Sequence, residues 1–487
     1  MSMETSLTGT NQRPAIVAVD LGAESCRVSL LRFTNDTPSI QIVHRCPNGP
    51  IQTARGLVWD FETIFDEILQ GLRKSAELAP EGIASIGVDG WAVDYVRLNP
   101  DGSAFAPPFC YRDERSVASR EKLQTRISPS ELYRFTGAQD IRINTLYQLY
   151  ADVLDGVSPE LPWLNLPEYL LHRLGAERVS EYTNSTHTQM LGIATRQWSP
   201  EVLAAAGIAP SANPKVVLPG TDVGRLSGPL SSLPAFRNTR LIAPACHDTA
   251  SAIAGIPATG DDWAFISSGT WSLVGTVSSH SITSDEARKE NFTNQGGIGG
   301  AVYLLKNVNG MWMIKQCLDH WKSQGIEWDI AKLVEECHPV EAPPVLLDVD
   351  HPDLMLPGDM PARINEQLRS KGEPLPEGPS HGPRYASLIF HSLAARYAQV
   401  LKNLAALTGK HFNRIYIVGG GSRNAYLNSL VERATGAKVI PSSTESSTLG
   451  NFAIQLASAE GWSAQTGANP EAVARWAATL NQTASAG

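Results

Sequence analysis

An apolar, β-branched run that breaks at a turn of small residues and resumes as a second apolar strand occurs once in each half of the chain. In the first half, Ala15–Asp20 (AIVAVD) leads through Leu21-Gly22-Ala23-Glu24-Ser25 into Cys26–Phe33. In the second, Asp262–Ser268 (DWAFISS) leads through Gly269-Thr270 into Trp271–Val277 (WSLVGTV). Short runs of this composition read as buried strands, and the small turns between them as hairpins. The surroundings complete an α/β pattern. Ile40–His44 follows as a third strand, and Asp60 then opens a helix as its N-cap. Phe61, Ile64, Phe65, Ile68, Leu69 and Leu72 give that helix one apolar face, and Ile83–Asp89 (IASIGVD) is a strand ending in Asp. In the second half come strand Ala301–Val308, a helix from Met311, a long helix over Ala386–Leu407 and strand Arg414–Val418 (RIYIV). The stripe Leu393, Tyr397, Val400, Leu404 and Leu407 marks a core-facing side, and a helix bearing Leu427, Leu430 and Val431 comes last. Two α/β halves on one plan are expected, with Val340–His381, rich in Pro and Asp, as an irregular excursion.

At 487 residues there is room for both halves. The 40 Lys and Arg against 49 Asp and Glu leave a net charge of −9. That argues against a surface built to neutralise nucleic-acid phosphates, though a pocket can still be positive on an acidic protein. No apolar run approaches the roughly 18–20 residues of a membrane span. Met1–Pro14 is polar and lacks the apolar centre of a signal peptide. A cytoplasmic protein with no membrane or nucleic-acid partner is expected. Cys26, Cys46, Cys110, Cys246, Cys317 and Cys337 are dispersed without a C-x-x-C pair, and read as reduced thiols.

Standard nucleotide motifs are missing. Gly409-Lys410 is followed by His411, not Ser or Thr, so there is no phosphate-loop signature. In Gly296-Gly297-Ile298-Gly299-Gly300, Val302 stands where a dinucleotide fingerprint has its last glycine. Two facing hairpins are another way to hold phosphates. Gly22-Ala23-Glu24-Ser25 and Ser267-Ser268-Gly269-Thr270 each offer backbone N–H groups and hydroxyls, and Asp20 could orient hydrated Mg²⁺ between them. Alone, either hairpin reads as an ordinary turn; the repetition favours a nest. Gly419-Gly420-Gly421, between strand and helix, is either a tight turn or a surface that a flat ring can approach. In Ala245-Cys246-His247-Asp248-Thr249-Ala250, Asp248 is either a general base on a hydroxyl or a helix cap. His247 by itself reads as a structural histidine. Val88-Asp89-Gly90-Trp91-Ala92-Val93-Asp94-Tyr95, with Tyr111-Arg112-Asp113-Glu114-Arg115, suggests rings and carboxylates for a sugar, with Trp91 as core filler the equal alternative.

In this order the segments resemble the FGGY family of carbohydrate kinases. The resemblance is carried by AVDLGAESCRVSLL, SIGVDGWAVDYVRL, YRDER, INTLYQLYA, EYTNSTHTQML, HDTASAIAG, ISSGTWSLVG, LKNVNGMW, IVGGGSRNAYLN and ESSTLGN. It implies two actin-like (ribonuclease H-like) ATPase domains with an interdomain cleft. Residues 1–14 would be a polar leader and 15–255 a domain with the sugar site and first hairpin. Residues 256–470 would hold the second hairpin and the adenosine site, and 471–487 would be a tail. The WAVDY, NTLYQL and YTNSTHTQ segments are similar to the branch acting on L-rhamnulose. The implied reaction moves the ATP γ-phosphate to the 1-hydroxyl of L-rhamnulose, with Mg²⁺. By position, Asp248 would accept the proton, and Ala92, His247, Asp248, Thr249 and Asn307 would contact the sugar. Ala23, Glu24, Ser25, Cys26, Arg27 and Thr270 would hold phosphates, Gly420 and Lys315 would contact the nucleotide, and Asp20 the metal. Cys26 and Ala92 stand where the family pattern has glycine, and Lys315 where it has glutamine. These departures touch the phosphate loop, the width of the sugar pocket and the Lys315 assignment. A kinase for another ketose or polyol such as L-fuculose or xylulose, or a sugar- or nucleotide-binding regulator without catalysis, stays open, as does the number of chains in the assembly.

Overall fold

The computed structural model describes residues 13–484, so the leader expected over 1–14 lies outside the described residues except for Arg13 and Pro14. In the N-terminal half, strands β1 (Ala15–Leu21), β2 (Ser25–Thr34) and β3 (Thr37–Pro47) run antiparallel. Helix α1 (Phe61–Leu78) brings the chain back to β4 (Ile83–Gly90), which lies parallel to β1 on its other side. Strands β5 (Thr221–Arg225) and β6 (Arg240–Ala243) extend that side, giving the order β5-β6-β4-β1-β2-β3. Helix α2 (Asp248–Ala254) leads out of this half. The C-terminal half contains β7 (Trp263–Ser268), β8 (Trp271–Ser278), β9 (Thr293–Gly296) and β10 (Val302–Asn309). Then come α3 (Trp312–Ser323), α4 (Gly382–Thr408), β11 (Arg414–Val418), α5 (Ala425–Thr435) and β12 (Lys438–Pro441). Its sheet order is β9-β10-β8-β7-β11-β12. In each half the first strand pairs antiparallel with its successor and parallel with a strand reached by a helical crossover. Helices α6 (Ser446–Glu460) and α7 (Pro470–Ala484) close the chain.

Local signals account for much of this. The Asp60 carboxylate accepts the Thr63 N–H at 3.2 Å and caps α1, whose Ile64, Ile68 and Leu72 are buried, while Phe65 and Leu69 are partly buried. On α4, Leu393, Tyr397, Val400 and Leu404 are buried and Leu407 packs at the margin. Two expectations need correction. The excursion at 340–381 contains a helix, Met360–Arg369, which buries Met360, Ile364 and Leu368. Its Pro361 lies in the first turn, where a missing N–H costs nothing, so the proline marks a helix start and not a break. The expected tail at 471–487 is largely α7, with Ala472, Val473, Ala477 and Leu480 buried against α2 and α6.

The halves meet through α2 and α6. One apolar cluster contains Ile16 and Ala18 of β1, Ala250 and Ile253 of α2, and Leu449, Phe452 and Ile454 of α6. The two helices touch backbone to backbone, since a Cβ on Gly450 would sit 1.8 Å from the Ser251 carbonyl oxygen. A polar ladder at four-residue steps runs along α6 onto the N-terminal sheet. Ser447 donates to Asp20 at 2.9 Å, Asn451 to Asp89 at 2.5 Å and Gln455 to the Val17 carbonyl at 2.9 Å.

Candidate active site

Parallel pairing puts Asp20 of β1 beside Asp89 of β4, and an isolated bridge joins Gly90 to His247. The Gly90 N–H donates to the Cys246 carbonyl at 3.0 Å, so Asp248 begins its helix next to both carboxylates. Gathered like charges and low dielectric favour protonation. Asp89, fully buried, is pushed well above the ordinary carboxylate range by desolvation and then by Asp20. Asp248 is pushed up to about 7, first by burial and then by the negative Asp20. Its side chain nonetheless keeps 35% exposure, so it remains within reach of a ligand. The helix-cap alternative is not what is observed: His247 occupies the N-cap without a side-chain bond, and the Asp248 carboxylate takes the Thr249 hydroxyl at 3.1 Å.

Arg27, cross-strand from Asp20, forms ion pairs with Asp20 and with Glu445 just before α6. Its guanidinium is therefore held between two carboxylates. Both the Arg27 and Ser447 bonds fall on Asp20 Oδ2, which leaves Oδ1 for a cation-bound water. Asp89 Oδ1 is buried without a partner. Asp20 Oδ1 is a hard oxygen donor of the kind Mg²⁺ takes, one carboxylate together with waters and phosphates.

In the first hairpin a Cβ on Gly22 would meet the Ser25 carbonyl at 2.4 Å, so the turn closes only with glycine. Cys26, which replaces the expected glycine, is wholly buried and packs toward Cys46 and the Gly22 carbonyl. Its side chain stays out of the loop, which presents Ala23, Glu24 and Ser25. In the second hairpin the Gly269 and Thr270 carbonyls accept the N–H groups of Met311 and Trp312 at 2.9 and 3.1 Å, and Thr270 is exposed. This anchors the start of α3, and Lys315 of α3 reaches Glu24 at 3.7 Å. The two hairpins thus face one another. Behind them, Gly419 and Gly421 lie against Ser268: a Cβ on Gly421 would fall 2.0 Å from Ser268 Oγ. Gly420 faces open space, with nothing within 4 Å of its would-be Cβ.

At the end of β4, Ala92 precedes Val93, a β-branched residue at φ +71°, a strained conformation of the kind that gathers at functional sites. The strain is held from both sides. The Val93 carbonyl accepts the Thr145 hydroxyl at 2.7 Å, and Asp94 accepts the indole N–H groups of Trp59 and Trp91 at 2.6 and 3.0 Å. Trp91 is buried against Trp59 at 4.5 Å, so it is core and not an open platform. Asn307 of β10 donates to Gln139 at 2.7 Å, joining the halves over this pocket. Sequence reasoning missed Gln139, Glu445, Gln295 and the α6 ladder. Gln295 acts across 48 residues of sequence and the others across more than a hundred, where local pattern is silent.

The comparisons agree with this geometry. The N-terminal domain model of the FGGY family of carbohydrate kinases matches residues 15–255 and its C-terminal model 264–459. The chain belongs to the FGGY family of carbohydrate kinases. A rhamnulokinase from Bacteroides thetaiotaomicron is 35% identical over 444 residues, covering 90% of this chain and 89% of that one. Another from Enterococcus faecalis is 36% identical over 452 residues, covering 91% and 89%. Among solved structures, a ligand-bound xylulose kinase from Lactobacillus acidophilus superposes with TM-score 0.76 at 16% identity over 97% of both chains. A Plasmodium falciparum glycerol kinase with ADP gives 0.72 at 12% identity, over 95% and 92%. As an FGGY kinase this protein has the two-domain actin-like ATPase fold and is an ATP-dependent sugar kinase. No described helix is long and apolar enough to cross a membrane.

Proposed function

We propose that this kinase transfers the γ-phosphate of ATP to the 1-hydroxyl of L-rhamnulose, giving L-rhamnulose 1-phosphate and ADP in the cytoplasm. The observation that carries the chemistry is Asp248, a cleft carboxylate pushed up to about 7 by burial and Asp20. The named activity of the two relatives supplies the substrate. Asp248 takes the proton of the 1-hydroxyl as that oxygen bonds to the γ-phosphorus and the bond to the β–γ bridging oxygen breaks, releasing ADP. A base with its pKa near the working pH is both available and strong enough, an effect typically worth about 10²–10⁴-fold.

His247, Thr249, Asn307 and the strained backbone at Ala92 orient the sugar. Backbone N–H groups of Ala23, Glu24 and Ser25, with the Thr270 hydroxyl, receive the phosphates on a loop that Cys26 and Arg27 anchor in the sheet, while Gly420 and Lys315 flank the nucleotide. Phosphoryl transfer asks mainly for such positioning and charge stabilisation. Mg²⁺, held through Asp20, would neutralise phosphate charge when bound. The sugar site and first hairpin belong to a domain over 15–255, and the second hairpin and adenosine site to one from 256 onward that includes α7. Closing the cleft between them excludes water and limits idle ATP hydrolysis. ADP release measured across L-rhamnulose, L-fuculose, D-xylulose and glycerol should show the highest kcat/KM with L-rhamnulose. A preference for xylulose or glycerol would overturn the substrate.

A further inference from the structure

A side chain of the C-terminal half, unused in the reaction above, reaches into the sugar site of the N-terminal half. Gln295 of β9 is 1% exposed, and its amide Nε2 lies 2.7 Å from His247 Nδ1. The adjacent Gly296 N–H donates to Thr186 Oγ1 at 2.9 Å, fixing β9 against the helical turn Thr186–Thr188 of the N-terminal half. On that turn His187 packs on the His247 ring at 4.1 Å between centroids, the planes tilted by 50°. The other nitrogen of the His247 ring, Nε2, faces Asp248 Oδ1 at 3.5 Å.

These contacts specify a protonation pattern. Burial, and then the neighbouring His187, hold His247 well below the ordinary histidine range, so the ring is neutral and carries a single N–H. An amide NH₂ on Nδ1 makes that nitrogen the acceptor and leaves the proton on Nε2. The other tautomer would set an Nε2 lone pair against the lone pairs of the Asp248 carboxylate. The two neighbours of the ring therefore demand the same tautomer, each for its own reason. Gln295 also bonds the His187 ring, so one amide serves both histidines.

We propose that Gln295 is a positioning residue that reaches across the cleft and fixes His247 as its Nε2–H tautomer, so that an N–H faces Asp248 and the hydroxyl it deprotonates. The role rests on the reading of Asp248 as the base. Because Gln295 and His247 belong to different halves, the tautomer is set where the halves meet, which ties assembly of the base to closure.

Two-dimensional ¹⁵N–¹H spectra of the ¹⁵N-histidine-labelled protein, assigned against His247→Gln, read the tautomer directly. The wild type should give the Nε2–H pattern. Gln295→Glu replaces the donor by an acceptor and should give Nδ1–H. Its kcat should fall about 10–100-fold, the range seen when the partner orienting a histidine is lost, with the KM for ATP nearly unmoved. An Nδ1–H wild type overturns the proposal whether or not any variant folds. A folded Gln295→Glu protein with unchanged tautomer and kcat overturns it as well. Failure of the wild type to release ADP with L-rhamnulose would sink the functional reading alone, since the spectrum reports the tautomer without turnover.

Discussion

At the cleft, β1 and β4 of the N-terminal half end in Asp20 and Asp89-Gly90, and α2 opens with Asp248 beside them. In the corresponding places of the C-terminal half, β7 ends in Ser267-Ser268 and β11 runs into Gly419-Gly420-Gly421. The strand connections around these ends are the same, so the difference lies in what the ends carry. Carboxylates crowded at one sheet cannot all ionise freely, and Asp248 is thereby pushed up to about 7. Glycines and hydroxyls at the other sheet add no charge and leave backbone N–H groups open to phosphate and a ring. On the proposed reading one topology serves acid–base work in one half and nucleotide binding in the other, because the sheet sets position and the end residues set chemistry.

Asp248→Asn should break the comparison hardest. Asn keeps the shape and a hydrogen bond but cannot take the proton, so kcat should fall by roughly 10²–10⁴-fold, with sugar and ATP KM changed much less. The same variant has a stability signature. Asp248 is raised from 3.8 to about 7, so between those values the folded state binds a proton that the unfolded state has lost. Stability therefore declines as pH rises through that window. Asp248→Asn removes this cost, so its Tm should exceed the wild type's at pH 8 and match it at pH 4. A folded variant with near-normal turnover would take the base away from this residue.

The glycine side can be broken more selectively. A Cβ on Gly421 would fall 2.0 Å from Ser268 Oγ, whereas one on Gly420 meets nothing within 4 Å. Gly421→Ala should lose about 1–3 kcal/mol in urea unfolding, as overpacking does. Gly420→Ala should keep that stability and raise only the KM for ATP. Equal stability losses would mean that Gly420 serves the turn and not the nucleotide. Thr270→Val, which keeps β-branching at an exposed turn, should lower kcat/KM for ATP about 10-fold, the worth of one hydrogen bond to a charged group. Unchanged kinetics would reduce the second hairpin to a turn.

The strands, both hairpins and the Asp60 cap were legible because their signals are local: period, turn residues and a capping carboxylate. The helix at Met360–Arg369 was not, because Asp and Pro beside an apolar stripe suit a loop or a helix start equally until burial decides. Asp248 was ambiguous for a related reason. An Asp before small residues can cap a helix or sit one place inside it, and only the observed N-cap at His247 separates the two. Arg27 follows the first hairpin closely, and adjacent residues show only that. Its pairing with Glu445 lies 418 positions away, beyond what adjacent residues can show.

The smallest effect is also the most specific test of why the carboxylates are gathered. If Asp248 is the base, kcat/KM for the sugar must fall on the acid side as its carboxylate protonates, with a midpoint near about 7. Burial is the larger cause of that value and the charge of Asp20 the second. Asp20→Asn removes the second cause and leaves the first, so the acid limb of the remaining activity should move to lower pH without returning to the range of an exposed carboxylate. The variant will also be slower, but a midpoint is read from the shape of the profile and not from its height. Gln295, which contacts His247 and carries no charge, should leave the midpoint in place when changed to Leu. An Asp20→Asn profile that coincides with the wild type's would mean that the three carboxylates are neighbours without being coupled, and that the N-terminal half tunes its base by burial alone.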